Sequence, residues 1–219
     1  MNTLLVITNL SVIPTIIKFV QIGDIVDAFL FFVLMIVSMF YHGCKDLNAC
    51  ITNIKILSFM DVLLASSLGI CLSLQYASSI HKISFIDISR MYRIRENKDF
   101  DINRQLKTVL TLLLLIINGI WLSLNDGNSS VTQKIFTLVY CLFMIIYALM
   151  IHLQSKDGIL INTNRLIMGV IISVAGYILF EIAGIDKFGP YYYISHSLWH
   201  VLSSIGLYIL ITATIYNKK

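Results

Sequence analysis

Seven stretches of this chain are too long and too apolar for a water-soluble core. They run approximately over 3–20, 27–43, 54–78, 107–124, 131–151, 166–184 and 191–215. A helix crossing the hydrocarbon layer needs about 20 apolar residues, and each run approaches that length. Of the 219 residues 58% are hydrophobic and 13% charged, where a soluble domain carries about 25% charged residues. The mean hydropathy is +0.83. The runs are continuously apolar rather than alternating, which argues against a β-barrel. The expected fold is all-α: a polytopic seven-helix membrane bundle, with residues 1–219 forming a single transmembrane domain. Pro14 lies inside the first run and predicts a kink. Pro190 precedes the seventh, where it can begin a helix without losing a hydrogen bond. The first run is expected to be a retained span: no basic region precedes it and no small-residue cleavage site follows, as a signal peptide would need.

Basic residues set the expected orientation. Twelve of the sixteen Lys and Arg fall in the loops after spans one, three and five or in the tail. The other four are Lys45, Lys55, Lys134 and Lys187. The N-terminus is therefore expected outside and the C-terminus in the cytoplasm. Asn128-Ser129-Ser130, a glycosylation sequon, then falls outside. So do Cys44 and Cys50, which flank a short loop where a disulfide can persist. Cys71 and Cys141 lie within spans and read as packing residues. Residues 82–107 hold most of the basic excess. Their partial amphipathicity would suit a surface helix on anionic lipid, but a solvated positive-inside loop accounts for them as well and is preferred. Nothing in the pattern suggests nucleic-acid binding.

His196 and His200 stand four apart in the last run, which puts both imidazoles on one helix face. Ionisable groups are costly in hydrocarbon and rare there without a function. The pair alone is a weak motif, and Ser197 stands where a zincin would carry its Glu. In span two Ser38 and His42 share the same four-residue spacing. In span three Asp61 stands in an apolar context, about two turns from the start. At about 1.5 Å of rise per residue, His42, Asp61, His196 and His200 all fall in one leaflet, because spans two, three and seven place these ends on the same side. Singly, a membrane His or Asp more often makes an interhelical hydrogen bond. Together, three His and an Asp fit a zinc site with an open position. Asp61 would serve as general base or orient a His. Ser38 would donate to a developing oxyanion. The chemistry so described is zinc-dependent hydrolysis of a lipid amide or ester.

The constellation resembles the CREST superfamily of seven-helix membrane proteins. Its pattern is Ser-x-x-x-His in span two, Asp in span three and His-x-x-x-His in span seven. The superfamily includes alkaline ceramidases, progestin and adiponectin receptors, and the transmembrane-8 and myomaker branch. The resemblance implies Zn2+ on His42, His196 and His200, with Ser38 and Asp61 beside it. Asn9 to Thr15, Phe40-Tyr41-His42-Gly43-Cys44 and His196-Ser197-Leu198-Trp199-His200 are similar to stretches of the transmembrane-8 and myomaker branch. Two departures stand out: the chain stops at Tyr216-Asn217-Lys218-Lys219 without a Cys-rich tail, and its third loop is longer and more basic. The branch implies a multi-pass protein of the plasma membrane that promotes cell–cell fusion of the myoblast type, with membrane lipids, a homo-oligomer in cis or trans, and a fusion partner protein as partners. Fusion is the first expectation and lipid hydrolysis the alternative. A receptor is the third, disfavoured because no long cytoplasmic segment offers itself for coupling.

Other residues carry weaker expectations. His81 and His152 read as interfacial, and Glu181 as a partner for span seven or a snorkelling acid. Tyr191, Tyr192, Tyr193 and Trp199 read as an interfacial aromatic belt. The orientation has a direct check. An epitope tag placed at Asn128 should stain on intact cells, and staining only after permeabilisation overturns it.

Overall fold

The computed structural model describes residues 3–22, 24–66, 102–124, 162–185 and 190–213. All of the regular structure among them is helical: α1 (Thr3–Thr8), a 3-10 turn (Asn9–Val12), α2 (Ile13–Ile22), α3 (Ile25–Leu47), α4 (54–66), α5 (Ile102–Leu124), α6 (Thr163–Ile185) and α7 (Pro190–Ala213). Among the described residues four helices are long and apolar enough to cross a membrane: Thr3–Gln21, Ile25–Leu47, Asn164–Gly184 and Tyr191–Ala213. Four of the seven expected runs thus appear as full-length membrane helices. The run at 107–124 lies within α5, and the start of the run at 54–78 forms α4. The rest of that run, the run at 131–151, the sequon, Cys71, Cys141, His81, His152 and residues 82–101 lie outside the described residues. The chain divides into two units, one of Met1–Ala65 with Ile161–Ile215, the other of Ser66–Leu160 with Tyr216–Lys219. In the second unit, the buried Asn118 of α5 donates from Nδ2 to Ser66 Oγ at 2.6 Å.

The kink expected at Pro14 takes a specific form. Pro14 has no N–H, and its ring would clash with the Leu10 carbonyl in a continuous α-helix. The preceding four residues wind more tightly, as the 3-10 turn, and the helix resumes at Ile13. Just before this turn the Leu5 carbonyl accepts from Asn9 Nδ2 at 2.8 Å and from Thr8 Oγ1 at 3.2 Å. Phe19 of α2 then stacks on Phe31 of α3, ring centroids 5.2 Å apart.

The buried residues of α3 include Asp27, Ala28, Phe31, Met35, Ser38 and His42. Steps of three and four make them one stripe, so Ser38 and His42 face the interior by helical period alone. The outward faces carry Phe29, Phe32, Ile171, Val174 and Ile178, all exposed, as helices bordered by lipid require. At the end of α3, Asn48 adopts φ 57°, in the left-handed region. Asn tolerates this better than most residues. The Asn48 and Ala49 N–H groups both return to the Gly43 carbonyl, the latter at 3.0 Å, which closes the helix. The reversal brings Cys50 back over Cys44, and the two form a disulfide with Cα atoms 4.1 Å apart.

α6 and α7 lie in close contact through small residues, the usual device where lipid offers no hydrophobic drive. Gly206 of α7 faces Ser173 and the main chain of Gly169, while Gly176 of α6 faces Ser203. At the far end, Asn162 Oδ1 accepts from the Arg165 N–H at 3.1 Å and caps α6. A Cβ at position 206 would lie 3.1 Å from both the Gly169 carbonyl oxygen and the Ser173 nitrogen. Backbone cannot yield as a side chain can. Gly206→Ala should therefore destabilise the purified protein by about 1–3 kcal/mol, seen as a lower midpoint in a thermal melt. An unchanged midpoint refutes this packing.

Candidate metal centre

Three imidazoles meet near the C-terminal end of α3 and the N-terminal half of α7. His42 comes from the buried stripe of α3, while His196 and His200 lie one turn apart on α7. One ring nitrogen from each lies within 4.8 Å of the others, close enough for a single ion to hold all three. The ring centroids of His42 lie 5.0 Å from His196 and 5.3 Å from His200, and those of the α7 pair are 5.0 Å apart.

The hydrogen bonds around the rings suit a cation. His42 Nδ1 is 3.1 Å from Asp46 Oδ2, and both side chains are almost fully buried. A carboxylate at this nitrogen holds the proton on Nδ1 and leaves the Nε2 lone pair free, the arrangement found behind metal-ligating histidines. His200 Nε2 is buried with no hydrogen-bond partner. A buried nitrogen left so costs about 1–3 kcal/mol, and a metal ion would supply the missing contact. The donor set and the orphaned nitrogen therefore fit a metal ion. The chemistry of the set, three neutral nitrogens and no directly placed carboxylate, is of the kind zinc favours.

Asp61 and Ser38 stand beside the imidazoles. The Asp61 carboxylate lies near Ser38 and interacts electrostatically with His42 and with Lys45. Ser38 is one turn before His42 on α3 and equally buried. All five residues singled out by sequence, Ser38, His42, Asp61, His196 and His200, thus occupy one region of the first unit.

Aromatic rings enclose the centre. Trp199 packs on His196 and His200 at 4.9 and 4.6 Å, and Phe180 of α6 packs on Trp199 at 4.6 Å. Tyr41 and Tyr192 lie 5.1 and 5.2 Å from His42 and His196. Such packing limits how far the imidazoles can turn. An interfacial belt describes Tyr191, which is 69% exposed, but Tyr192 is only 6% exposed and Trp199 covers the imidazoles. Glu181 is half-buried on α6.

Sequence reasoning missed Asp46. Its spacing from His42 is again four residues, the same signal that paired Ser38 with His42 and His196 with His200. It was overlooked because it lies beyond the apolar run, whereas the helix continues to Leu47. Ser11 was also missed. Its Oγ lies 2.9 Å from Ser204 Oγ and 3.3 Å from the His200 carbonyl oxygen, tying the first span to the helix that carries two imidazoles.

Among known proteins, a family model described as "Protein of unknown function (DUF3522)" matches residues 1–91. That stretch contains Ser38, His42, Asp46 and Asp61, while His196 and His200 lie beyond it. No curated protein matches the chain.

Two substitutions separate a metal centre from a mere cluster of histidines. His200→Ala should lower both the metal content, by elemental analysis, and the melting temperature. Asp46→Asn keeps the shape but weakens the hold on His42, and should reduce metal affinity about 10–100-fold. Wild-type protein without stoichiometric metal, matched in stability by His200→Ala, refutes the centre.

Proposed function

We propose that this is a zinc-dependent membrane hydrolase acting on an ester or amide bond of a lipid. The observation that carries the reading is the convergence of three imidazoles with the Asp61 carboxylate and Ser38 in one place. His42, His196 and His200 would hold the zinc. The ion, when bound, polarises a carbonyl and makes a coordinated water acidic.

The remaining work belongs to the chain. Asp61 is the general base that takes a proton from the attacking water and can return it to the leaving group. Ser38 orients that carboxylate in the resting site and is near enough to the imidazoles to donate to a developing oxyanion. Asp46 keeps His42 turned inward. Trp199, Phe180 and the tyrosines keep bulk water out, which strengthens each electrostatic contact. A lipid can reach such a site from within one leaflet, so no aqueous channel is needed.

A second reading rests on the resemblance of Asn9 to Thr15, of Phe40 to Cys44 and of His196 to His200 to the transmembrane-8 and myomaker branch of the CREST superfamily. In it the protein resides in the plasma membrane as a seven-helix bundle with its N-terminus outside. It promotes cell–cell fusion with the help of a partner protein or of a second copy. The zinc would then brace spans two, three and seven. The Asp61 carboxylate beside the imidazoles supports hydrolysis, since a brace does not need it.

Asp61→Asn divides the two. It removes the base but leaves all three nitrogen ligands, so metal content should stay near wild type. Lipid turnover, followed by mass spectrometry of cells expressing the protein, should fall by at least about 100-fold, in line with the usual worth of general base catalysis. Turnover equal in both proteins would falsify the hydrolase reading. Cell mixing that survives in Asp61→Asn but fails in His200→Ala would favour fusion.

A further inference from the structure

Lys45 has no part in the hydrolysis described above, yet it faces the same place. It follows His42 by three residues on α3, so both project from one face of the helix. Its Nζ donates to the Tyr192 hydroxyl at 3.0 Å. The ammonium also lies over two aromatic rings, 5.6 Å from the Tyr41 centroid and 5.1 Å from that of Tyr192. Among the described residues no carboxylate lies within 4.0 Å of it. Asp46, one residue further on, is turned to His42 instead. The cation is held in position by phenol and ring faces and feels the Asp46 and Asp61 carboxylates at a distance, but among the described residues it makes no salt bridge.

The placement along the helices matters as much as the charge. Lys45 is near the C-terminal end of α3 and Tyr192 near the N-terminal end of α7. Tyr192 precedes His196 by four residues, about one turn or 5.4 Å. The pair therefore stands about one turn nearer these helix ends than the imidazoles. In a glycerophospholipid the phosphate and the acyl esters are separated by two or three glycerol carbons, with the phosphate nearer water. The order of the two groups along the helices matches that of the lipid.

We infer that Lys45 and Tyr192 form an anion subsite that binds the phosphoryl headgroup of the lipid and sets its acyl ester against the three-histidine centre. Lys45 supplies the charge, and the Tyr192 hydroxyl turns from an acceptor for Lys45 into a second donor to a phosphate oxygen. The inference rests on the lipid-hydrolase reading for its substrate, but it makes a binding claim of its own. A lipid without phosphate, such as a diacylglycerol or a ceramide, would leave the ammonium unpaired and be held less tightly.

Full-length protein in neutral maltoside micelles tests this with dioleoyl phosphatidic acid and dioleoylglycerol as probes, retained lipid being counted by native mass spectrometry. Wild type should prefer phosphatidic acid. Lys45→Met should lose about tenfold in that affinity, the scale of one charge-assisted contact, and Lys45→Arg should keep most of it. Tyr192→Phe should fall between them, and it answers the question alone if Lys45→Met does not fold. Equal retention of both lipids by wild type, or an undiminished preference in Lys45→Met and Tyr192→Phe, overturns the subsite. Displacement of the lipid by inorganic phosphate at low millimolar concentration overturns the lipid assignment and points to a soluble anion. A Lys45-dependent preference in protein that hydrolyses nothing leaves the subsite standing and removes the hydrolase. Hydrolysis of both lipids alike, indifferent to Lys45, does the reverse.

Discussion

Imidazoles buried inside an apolar bundle need partners, and that requirement shapes the described core. Each ring carries two nitrogens, and leaving one unsatisfied away from water costs about 1–3 kcal/mol. The protein meets this partly with its own groups: Asp46 takes one nitrogen of His42. It leaves His200 Nε2 without a partner and brings His196 up against the same point. A chain that only had to tolerate three histidines would scatter them towards its helix ends. Their convergence makes sense if something binds between them.

The end of α3 shows how local structure serves that point. Asn48 in the left-handed region stops the helix one residue after Leu47, and the Cys44–Cys50 disulfide holds the returning chain against the last turn. That last turn carries Lys45 and Asp46. A frayed helix end would lose the His42–Asp46 contact first, since terminal turns open most easily. The disulfide thus acts on the centre through Asp46, two residues from Cys44, although no sulfur touches an imidazole.

Much of the centre was legible in sequence because helical spacing is a geometric rule. Ser38 with His42 and His196 with His200 follow from the four-residue repeat. Asp61 was placed with them by counting the rise along each span, and the structure brings it within hydrogen-bonding reach of Ser38. Pro14 announced an interruption, but not that the chain would tighten into a 3-10 turn ahead of it or that the Asn9 side chain would bond the Leu5 carbonyl. Such side-chain contacts are not recorded by any periodic pattern. Trp199 and Tyr192 were misplaced for a related reason. Aromatic residues near a helix end suit both an interfacial belt and a buried site, and only the neighbouring helix decides between them. For Tyr192 that neighbour is α3, through Lys45.

Charge balance links the histidine centre to the residues above it. A divalent ion held by three neutral imidazoles brings two positive charges into a place where isolated charge is costly. Asp46 and Asp61 are the two carboxylates beside it that neutralise such a charge when ionised. Lys45 then remains as a surplus positive charge, in electrostatic contact with Asp61 and His196 but paired with neither as a salt bridge. Buried or half-buried charges persist when they are paired. Tyr192 and the ring of Tyr41 supply only partial compensation, because a phenol and a ring face offer dipoles and a quadrupole rather than a full charge. A site balanced in every respect but one favours a ligand that brings the missing negative charge with it. On this ground Lys45 is suited to serve the centre's chemistry while still counting among the charges that set how a membrane chain is inserted.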